Sequence, residues 1–587
     1  MPVYYRLMGA HVGRRCALDT ALCSAWDVVS IGDDTSIGAD TQLLGCRVEN
    51  GHLLVGRVEI GSRCFIGLHS ALGLDVRMGD DARLDDQSLL PDGEHVPAGE
   101  ARRGSPARAA PVAVPEAAAA DPSPIRLAAF GCLQLISIAV LVFAMALPGL
   151  AMALPALWIV GNVSIASATA LVLAATPATV VVSCLWIALM KRIVLPRPAP
   201  GTYELHSLDD LRYWLVGRMM RASRSAMLPV FTTLYLPPWM RLLGARVGRH
   251  AEMSTVFCYL PDLLEAGTGS FFADGSILGG RRTHRGRFEI APSRVGNRSF
   301  VGNSAILPPG AGLGDGCLLG VLSTPPERLA PTPDGSDWLG SPGFLLPNRH
   351  KVGGFDDKLT YEPTPRLYAQ RAIIDACRIL IPAYTGALLG IGGFAALVLA
   401  DAAFGVWVML ALVPPLAVVS ALLAVLVVVS LKWTIMGTFK PVIVPLWSPY
   451  VWLNEMVNGA YEAIMAPVVA FFFGTPLAAV LLRLLGCKIG RRCYIGSSLF
   501  SEFDLVRIGD DAALNGGAVI QNHLFEDRIM KSSYLHIGNG CTIGNMAVVL
   551  YDAKMGDGAA LGPLSLLMKG EVMPEGSRWH GIPTVQG

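Results

Sequence analysis

The sequence predicts a mixed membrane protein in which three parallel β-helix modules alternate with two transmembrane helical hairpins. Three observations carry that prediction. One segment is written three times, each copy runs into aliphatic-Gly pairs spaced by six, and two long apolar stretches interrupt the series. Composition agrees: the chain is 52% hydrophobic and only 16% charged. A soluble protein carries about 25% charged residues, so membrane segments dilute ordinary domains here.

The repeated segment reads "YYRLMGAHVGRRCALD" (4–19), "MRLLGARVGRHAEMS" (240–254) and "LRLLGCKIGRRCYIG" (482–496). In the first module the pairs are Ile31-Gly32, Ile37-Gly38, Ile60-Gly61, Ile66-Gly67, Leu72-Gly73 and Met78-Gly79. The second carries Val295-Gly296, Val301-Gly302, Leu313-Gly314 and Leu319-Gly320. The third carries Ile508-Gly509, Ile537-Gly538, Ile543-Gly544, Met555-Gly556 and Leu561-Gly562. A six-residue period is neither helical nor a simple alternation. It suits a solenoid with three short faces per coil, one aliphatic side chain per face pointing inward. The following glycine is expected to relax the backbone at the corner. The modules close alike, on "RRGSPAR" (102–108), "WLGSPGF" (338–344) and "WHGIPTV" (579–585). An ordinary Gly-Pro turn is the plainer reading of one such segment; three in matching places point to a shared ending.

Residues 127–192 and 379–432 are each long enough for two spans of roughly 20 apolar residues. Pro148 and "PGLAMALP" are read as the first hairpin turn, "DAAFG" as the second. Basic residues flank only the outer ends: Arg126, Lys191, Arg192 and Arg197, then Arg371, Arg378, Lys432 and Lys440. The positive-inside rule then turns the modules to the cytoplasm of a cell-membrane protein. Lead-in helices are expected over 193–239 and 433–481. The remaining boundaries follow: module 1 at 1–108, an Ala/Pro linker at 109–126, module 2 at 240–345, a linker at 346–378 and module 3 at 482–587. The first copy lacks its hairpin, which is read as a chain that starts inside a repeat.

A net charge of +1 gives no reason to expect nucleic acid. The 12 cysteines show no C-x-x-C pair and no zinc spacing, so reduced thiols and no metal are expected.

The six-residue period and the closing segments resemble the hexapeptide-repeat, left-handed β-helix acyltransferases. That resemblance implies a site in the cleft between neighbouring β-helices, where a histidine deprotonates the acceptor before it attacks a thioester. When the modules are aligned, "NGGAVIQNHLFEDR" (515–528) faces "ADGSILGGRRTHRGR" (273–287) and "GADTQLLGCRVENGH" (38–52). His523 stands where the second copy has Arg281 and the first Cys46 or Arg47. As a catalytic base it suits aminolysis, because imidazole titrates near neutrality. Glu526 or Asp527 would orient it or hold a cationic acceptor. Asn522 would donate to the thioester oxygen as charge develops, and Arg528 would bind a phosphopantetheine phosphate or pair with an acid. Trp579 and His580, beside the closing G-x-P, complete the candidate substrate-binding set. His11, His69, His95, His206, His250, His350 and His536 are read as ordinary polar residues. The bland reading of His523 is a solvated loop residue.

With "HLFEDR", "LRLLGCKIGRRCYIGSSLFSEFDLVRIGDDAALNGG" and "WHGIPT", the whole chain resembles the C-terminal membrane region of ε-poly-lysine synthetase-like nonribosomal peptide synthetases. The resemblance implies amide-bond formation between a carrier-bound aminoacyl thioester and a growing homopolymer of a basic amino acid. That family has three modules and six spans; this chain has three modules and about four spans. It carries no adenylation signature and no carrier serine. Adenylation and carrier domains, with their phosphopantetheine thioester, are therefore expected from a missing N-terminal region or in trans. The lipid membrane and the aminoacyl or peptidyl substrate are the other partners, and a homo-oligomer is left open. Two alternatives stand beside it: a coenzyme A-dependent O- or N-acyltransferase at the membrane, and a non-catalytic membrane scaffold.

Overall fold

The computed structural model describes residues 1–111, 122–326, 330–347 and 354–586. His350 and most of the Ala/Pro linker lie outside them. Short parallel strands stack into three separate sets of three sheets, one set per module. Within a stack each turn of chain advances by eighteen residues, three sides of six: Arg83 pairs with Phe65 on one side and Ala101 on the other. The aliphatic members of the pairs fill the centre. Ile31, Ile37, Ile66, Leu72 and Met78 are all buried, as are Val301, Leu319, Ile543 and Leu561.

The glycines do a different job from the one expected. Gly32 and Gly61 do not adopt positive φ; a Cβ on Gly32 would lie 2.5 Å from the Gly61 carbonyl carbon. They are small so that successive coils can touch. The left-handed corner falls two residues later, on Asp34, Asp40, Arg63, His69, Asp75 and Asp81 (φ 49–58°).

The helices come in sets. Helix α1 (Pro2–Leu7) leads directly into module 1. Helices α2 (Pro124–Asn162) and α3 (Ile165–Val194) form the first hairpin; α4 (Leu208–Ala226) and α5 (Leu236–Leu242) lead into module 2. After a single turn, α6 (Asp357–Thr360), come α7 (Pro365–Phe404) and α8 (Val406–Ile435), the second hairpin. Then α9 (Pro449–Ala460), a π-helical turn (Tyr461–Met465), α10 (Ala466–Phe471) and α11 (Pro476–Leu484) lead into module 3. Among the described residues α2, α3, α7 and α8 are long and apolar enough to cross a membrane. The second hairpin turns at Gly405, as "DAAFG" suggested. The first does not turn at Pro148: α2 runs through Pro148 and Pro155, and the chain reverses at 163–164, where Ser164 accepts from the Ser167 N–H. Proline is tolerated inside a span, whereas Ser before an apolar run is a true N-cap.

The three modules meet in a closed ring. Their closing segments converge: the Ser105 N–H donates to the Ser341 carbonyl (3.0 Å), and the Ile582 N–H to the Ser105 carbonyl (2.9 Å). Around them Leu44, Leu89, Leu322, Leu339, Leu564 and Ile582, two from each module, form one apolar cluster. Each module also throws out an antiparallel hairpin onto a neighbour. Residues 46–55 reach module 3, where the Asn515 amide bonds both backbone groups of Val48 (2.8 and 2.9 Å). Residues 282–290 reach module 1, pairing Arg282 with Asp85 at 2.6 Å. Residues 523–532 reach module 2, stacking Phe525 against Phe271 at 5.4 Å.

Candidate active site

His523 opens the outer strand of the third hairpin, His523–Glu526. Its ring is buried, and Nδ1 lies 2.7 Å from the carboxylate of Glu502. Glu502 belongs to the preceding coil, where Leu499–Phe500 pairs with Val519–Ile520. It is fully buried and holds φ 39°, in the left-handed region, a conformation that costs on the order of 1 kcal/mol or more in a residue with a side chain. Its other oxygen accepts from the Asn454 amide (2.8 Å) and the Asn458 amide (3.2 Å), both on α9. The lead-in helix thus holds the acid that holds the histidine.

Burial by itself lowers the His523 pKa, but the charge and hydrogen bond of Glu502 outweigh it, so the imidazole stays above its usual value. Glu502 is held below the usual carboxylate range: burial opposes this, and the charge and hydrogen bond of His523, with Asn454, prevail. A carboxylate can only accept, so Nδ1 carries the proton and Nε2 is the free acceptor.

His523 lines a cavity of about 1080 Å³. The cavity collects residues from all three modules, among them Asp40 and His69 from the first and Asp274 from the second. Glu455 and Glu462 enter from α9 and the π-helical turn, Arg378 from α7 and Arg224 from α4. Burial pushes Glu455 and Glu462 each up to about 7. Part of the wall is made by the first apolar hairpin, a candidate membrane span pair, including Met152 and Thr176. Thr176 is eleven residues into α3 from the hairpin turn, about 16 Å at 1.5 Å per residue. That is roughly half the thickness of a bilayer core.

The other sequence candidates sit elsewhere. Glu526 is tied to Lys531 (2.7 Å) and Lys569 (2.5 Å), and Asp527 occupies the hairpin turn, so neither orients His523. The Asn522 amide donates to the Ser533 carbonyl (3.3 Å) and does not line the cavity; adjacent residues of a strand point to opposite faces. Arg528 is buried against module 2, within 3.9 Å of Glu252 and donating to the Ser270 carbonyl (3.3 Å). It is an interface residue with no route to a phosphate in the cavity. Trp579 and His580 lie on the closing strand of module 3, Arg578–His580, outside the cavity lining.

Glu502 is the residue that sequence reasoning missed. It left a signal: counted from Asp504, Asp262 and Asp27, which hold equivalent places beside Gly486, Gly244 and Gly9, its position is Leu260 in module 2 and Ala25 in module 1. Acid and histidine are gained together, in the third copy alone.

Fold and site together define a protein with candidate membrane hairpins whose three coil modules share a cavity lined by the histidine of a buried His–Glu pair. No family model matches the chain. It is 31% identical over 603 aligned residues to the delta-poly-L-ornithine synthetase of Acinetobacter baumannii (strain AB307-0294), an alignment covering 99% of this chain and 45% of that protein. The chain therefore spans less than half the length of that relative, and the similarity supports a poly-amino-acid-synthetase-like relationship for the region covered.

Proposed function

We propose that this chain is the membrane region of a poly-amino-acid-synthetase-like enzyme, forming amide bonds between a carrier-bound aminoacyl thioester and a growing homopolymer of a basic amino acid. The observation that carries the reading is the His523–Glu502 pair at the wall of the shared cavity. In this reading the coil stacks are left-handed β-helices, face the cytoplasm, and receive the thioester from adenylation and carrier domains outside this chain.

The chemistry follows from the pair. The attacking amine gives its proton to His523 Nε2 as its nitrogen bonds to the acyl carbon. Glu502 holds the imidazole in the right tautomer and offsets the positive charge it gains. When the C–S bond breaks, His523 returns the proton to the departing sulfur, leaving an amide and a thiol. Arg528, once considered for a phosphate, has no part in this scheme.

The test is His523→Ala in membranes, with the adenylating and carrier domains supplied. Polymer formation is expected to fall by about 10²–10⁴-fold while aminoacyl loading of the carrier is unchanged. Unchanged polymer removes His523 from the chemistry and leaves the modules as scaffold. Activity that follows acyl-coenzyme A without any carrier replaces the donor in this scheme.

A further inference from the structure

The cavity holds charged and polar groups that deprotonating one amine does not use. Four carboxylates line it, Asp40, Asp274, Glu455 and Glu462, against two guanidiniums, Arg224 and Arg378. The acids are not equivalent. Glu455 is answered by Arg378 at 3.3 Å. Glu462 has no hydrogen bond or ion pair among the described residues, although it lies close enough to Asp274 for that charge to raise its pKa further. Asp274 accepts from Ser254 and twice from Thr255, all on Oδ1. Its Oδ2 is left over.

A neutral group makes the same point independently. Asn303 lines the cavity and is only 7% exposed, yet its amide has no hydrogen-bond partner among the described residues. Its amide atoms reach the open space of the cavity, so they are available to a ligand. The register puts Asn303 beside Asp274: Phe271 pairs with Phe300 and Phe272 with Val301, and two residues further on the Ser304 N–H donates to the Asp274 carbonyl (2.9 Å). Consecutive coils therefore present one carboxylate oxygen and one amide at the same level. Glu462 lines the same cavity and feels the charge of Asp274 first, then those of Arg378, Arg224 and His523.

We infer that Asp274, Asn303 and Glu462 form a subsite for an alkylammonium group, holding the protonated second amine of a diamine-type acceptor while its neutral amine faces His523. An ammonium offers three donors and no acceptor, which matches two carboxylate oxygens and an amide carbonyl. An incoming cation would also favour ionisation of Glu462, which burial holds near neutrality. This rests on the proposed function only for the second amine's fate; the binding claim stands without catalysis.

The experiment is binding of butylamine and of 1-butanol to the purified chain in detergent, by calorimetry near neutral pH, where the amine is a cation. The amine is expected to bind about 10-fold or more tighter than the alcohol, the worth of one hydrogen-bonded charge. The Asp274→Asn/Glu462→Gln double variant should lose that preference, and Asn303→Asp, which adds a carboxylate, should increase it. His523→Ala should keep it, so failure of catalysis and failure of the subsite are read separately. Equal affinity for amine and alcohol in the wild type, or a preference that survives Asp274→Asn/Glu462→Gln, overturns the inference.

Discussion

At the scale of residues, the decisive contact is 2.7 Å long, between His523 Nδ1 and Glu502. A base must be neutral to work, so turnover is expected to rise as pH climbs through the raised His523 pKa. Glu502→Gln keeps the burial and removes the opposing charge. The imidazole pKa then falls, so the rising limb of the pH–rate profile moves to lower pH. Turnover itself should drop by about 10²–10⁴-fold as the tautomer is no longer fixed. The same pair bears on stability. His523, raised in the folded state, contributes below its unfolded value of about 6.5 and loses that contribution as pH rises through its folded pKa. Glu502, lowered, contributes above its unfolded value of about 4.3 and loses it as pH falls through its folded pKa. The difference in thermal stability between wild type and Glu502→Gln should therefore be largest near pH 5–6 and shrink above it. A constant difference across pH would mean that the two groups do not share charge. His523 was legible because only the third copy has histidine at that aligned place, while His52 and His284 fall later in the other two hairpins. Glu502, twenty-one residues earlier in the chain, became meaningful only once coil stacking brought it alongside.

At the scale of elements, a buried lysine ties each hairpin to the module that follows it. Lys191 near the end of α3 meets Asp262, and Lys432 near the end of α8 meets Asp504 at 2.8 Å. Both lysines are buried, and both aspartates sit where the repeated segment turns into its first coil. Lys432→Met should destabilise the protein by about 3–5 kcal/mol, because it leaves a buried carboxylate without its cation. Adding Asp504→Asn to that variant should recover most of the loss, since a neutral pair needs no counter-charge. Unfolding in detergent, followed by the light-scattering onset, measures both; a double variant no better than the single would show that packing rather than charge holds α8 down. Much at this scale could be read from the sequence: four helices long and apolar enough to cross a membrane followed from apolar length, and the six-residue sides from the period. The first hairpin turn was misread because Pro148 and Pro155 are loud signals in water and quiet ones in an apolar helix. The corner glycines were given the wrong reason, because period alone cannot tell a bend from a close approach.

At the scale of the molecule, three copies in one chain build a ring whose interfaces a period cannot foretell. The cavity draws on modules 1, 2 and 3, on lead-in helices of both later modules and on both apolar hairpins at once, which is why sequence placed the site residues along one loop. If the ring is what holds module 1, covalent connection to the rest is dispensable. Module 1 is joined to module 3 through Asn515 with Val48 and through Arg578 with Glu49 (2.5 Å). It is joined to module 2 through Arg282 with Asp85 and Arg285 with Asp81. The closing segments add the apolar cluster on the axis. A specific protease site introduced within 112–121 should therefore be cleavable without releasing module 1, which should co-purify through size exclusion in detergent and leave polymer formation intact. High salt alone should not free it either, because the axial cluster is apolar and screening weakens only the exposed pairs. Asn515→Leu, which strands both backbone groups of Val48, should make the nicked protein lose module 1 where the uncut protein keeps it. Release of module 1 on simple cleavage of the wild type would mean that the linker, and not the ring, holds the assembly together.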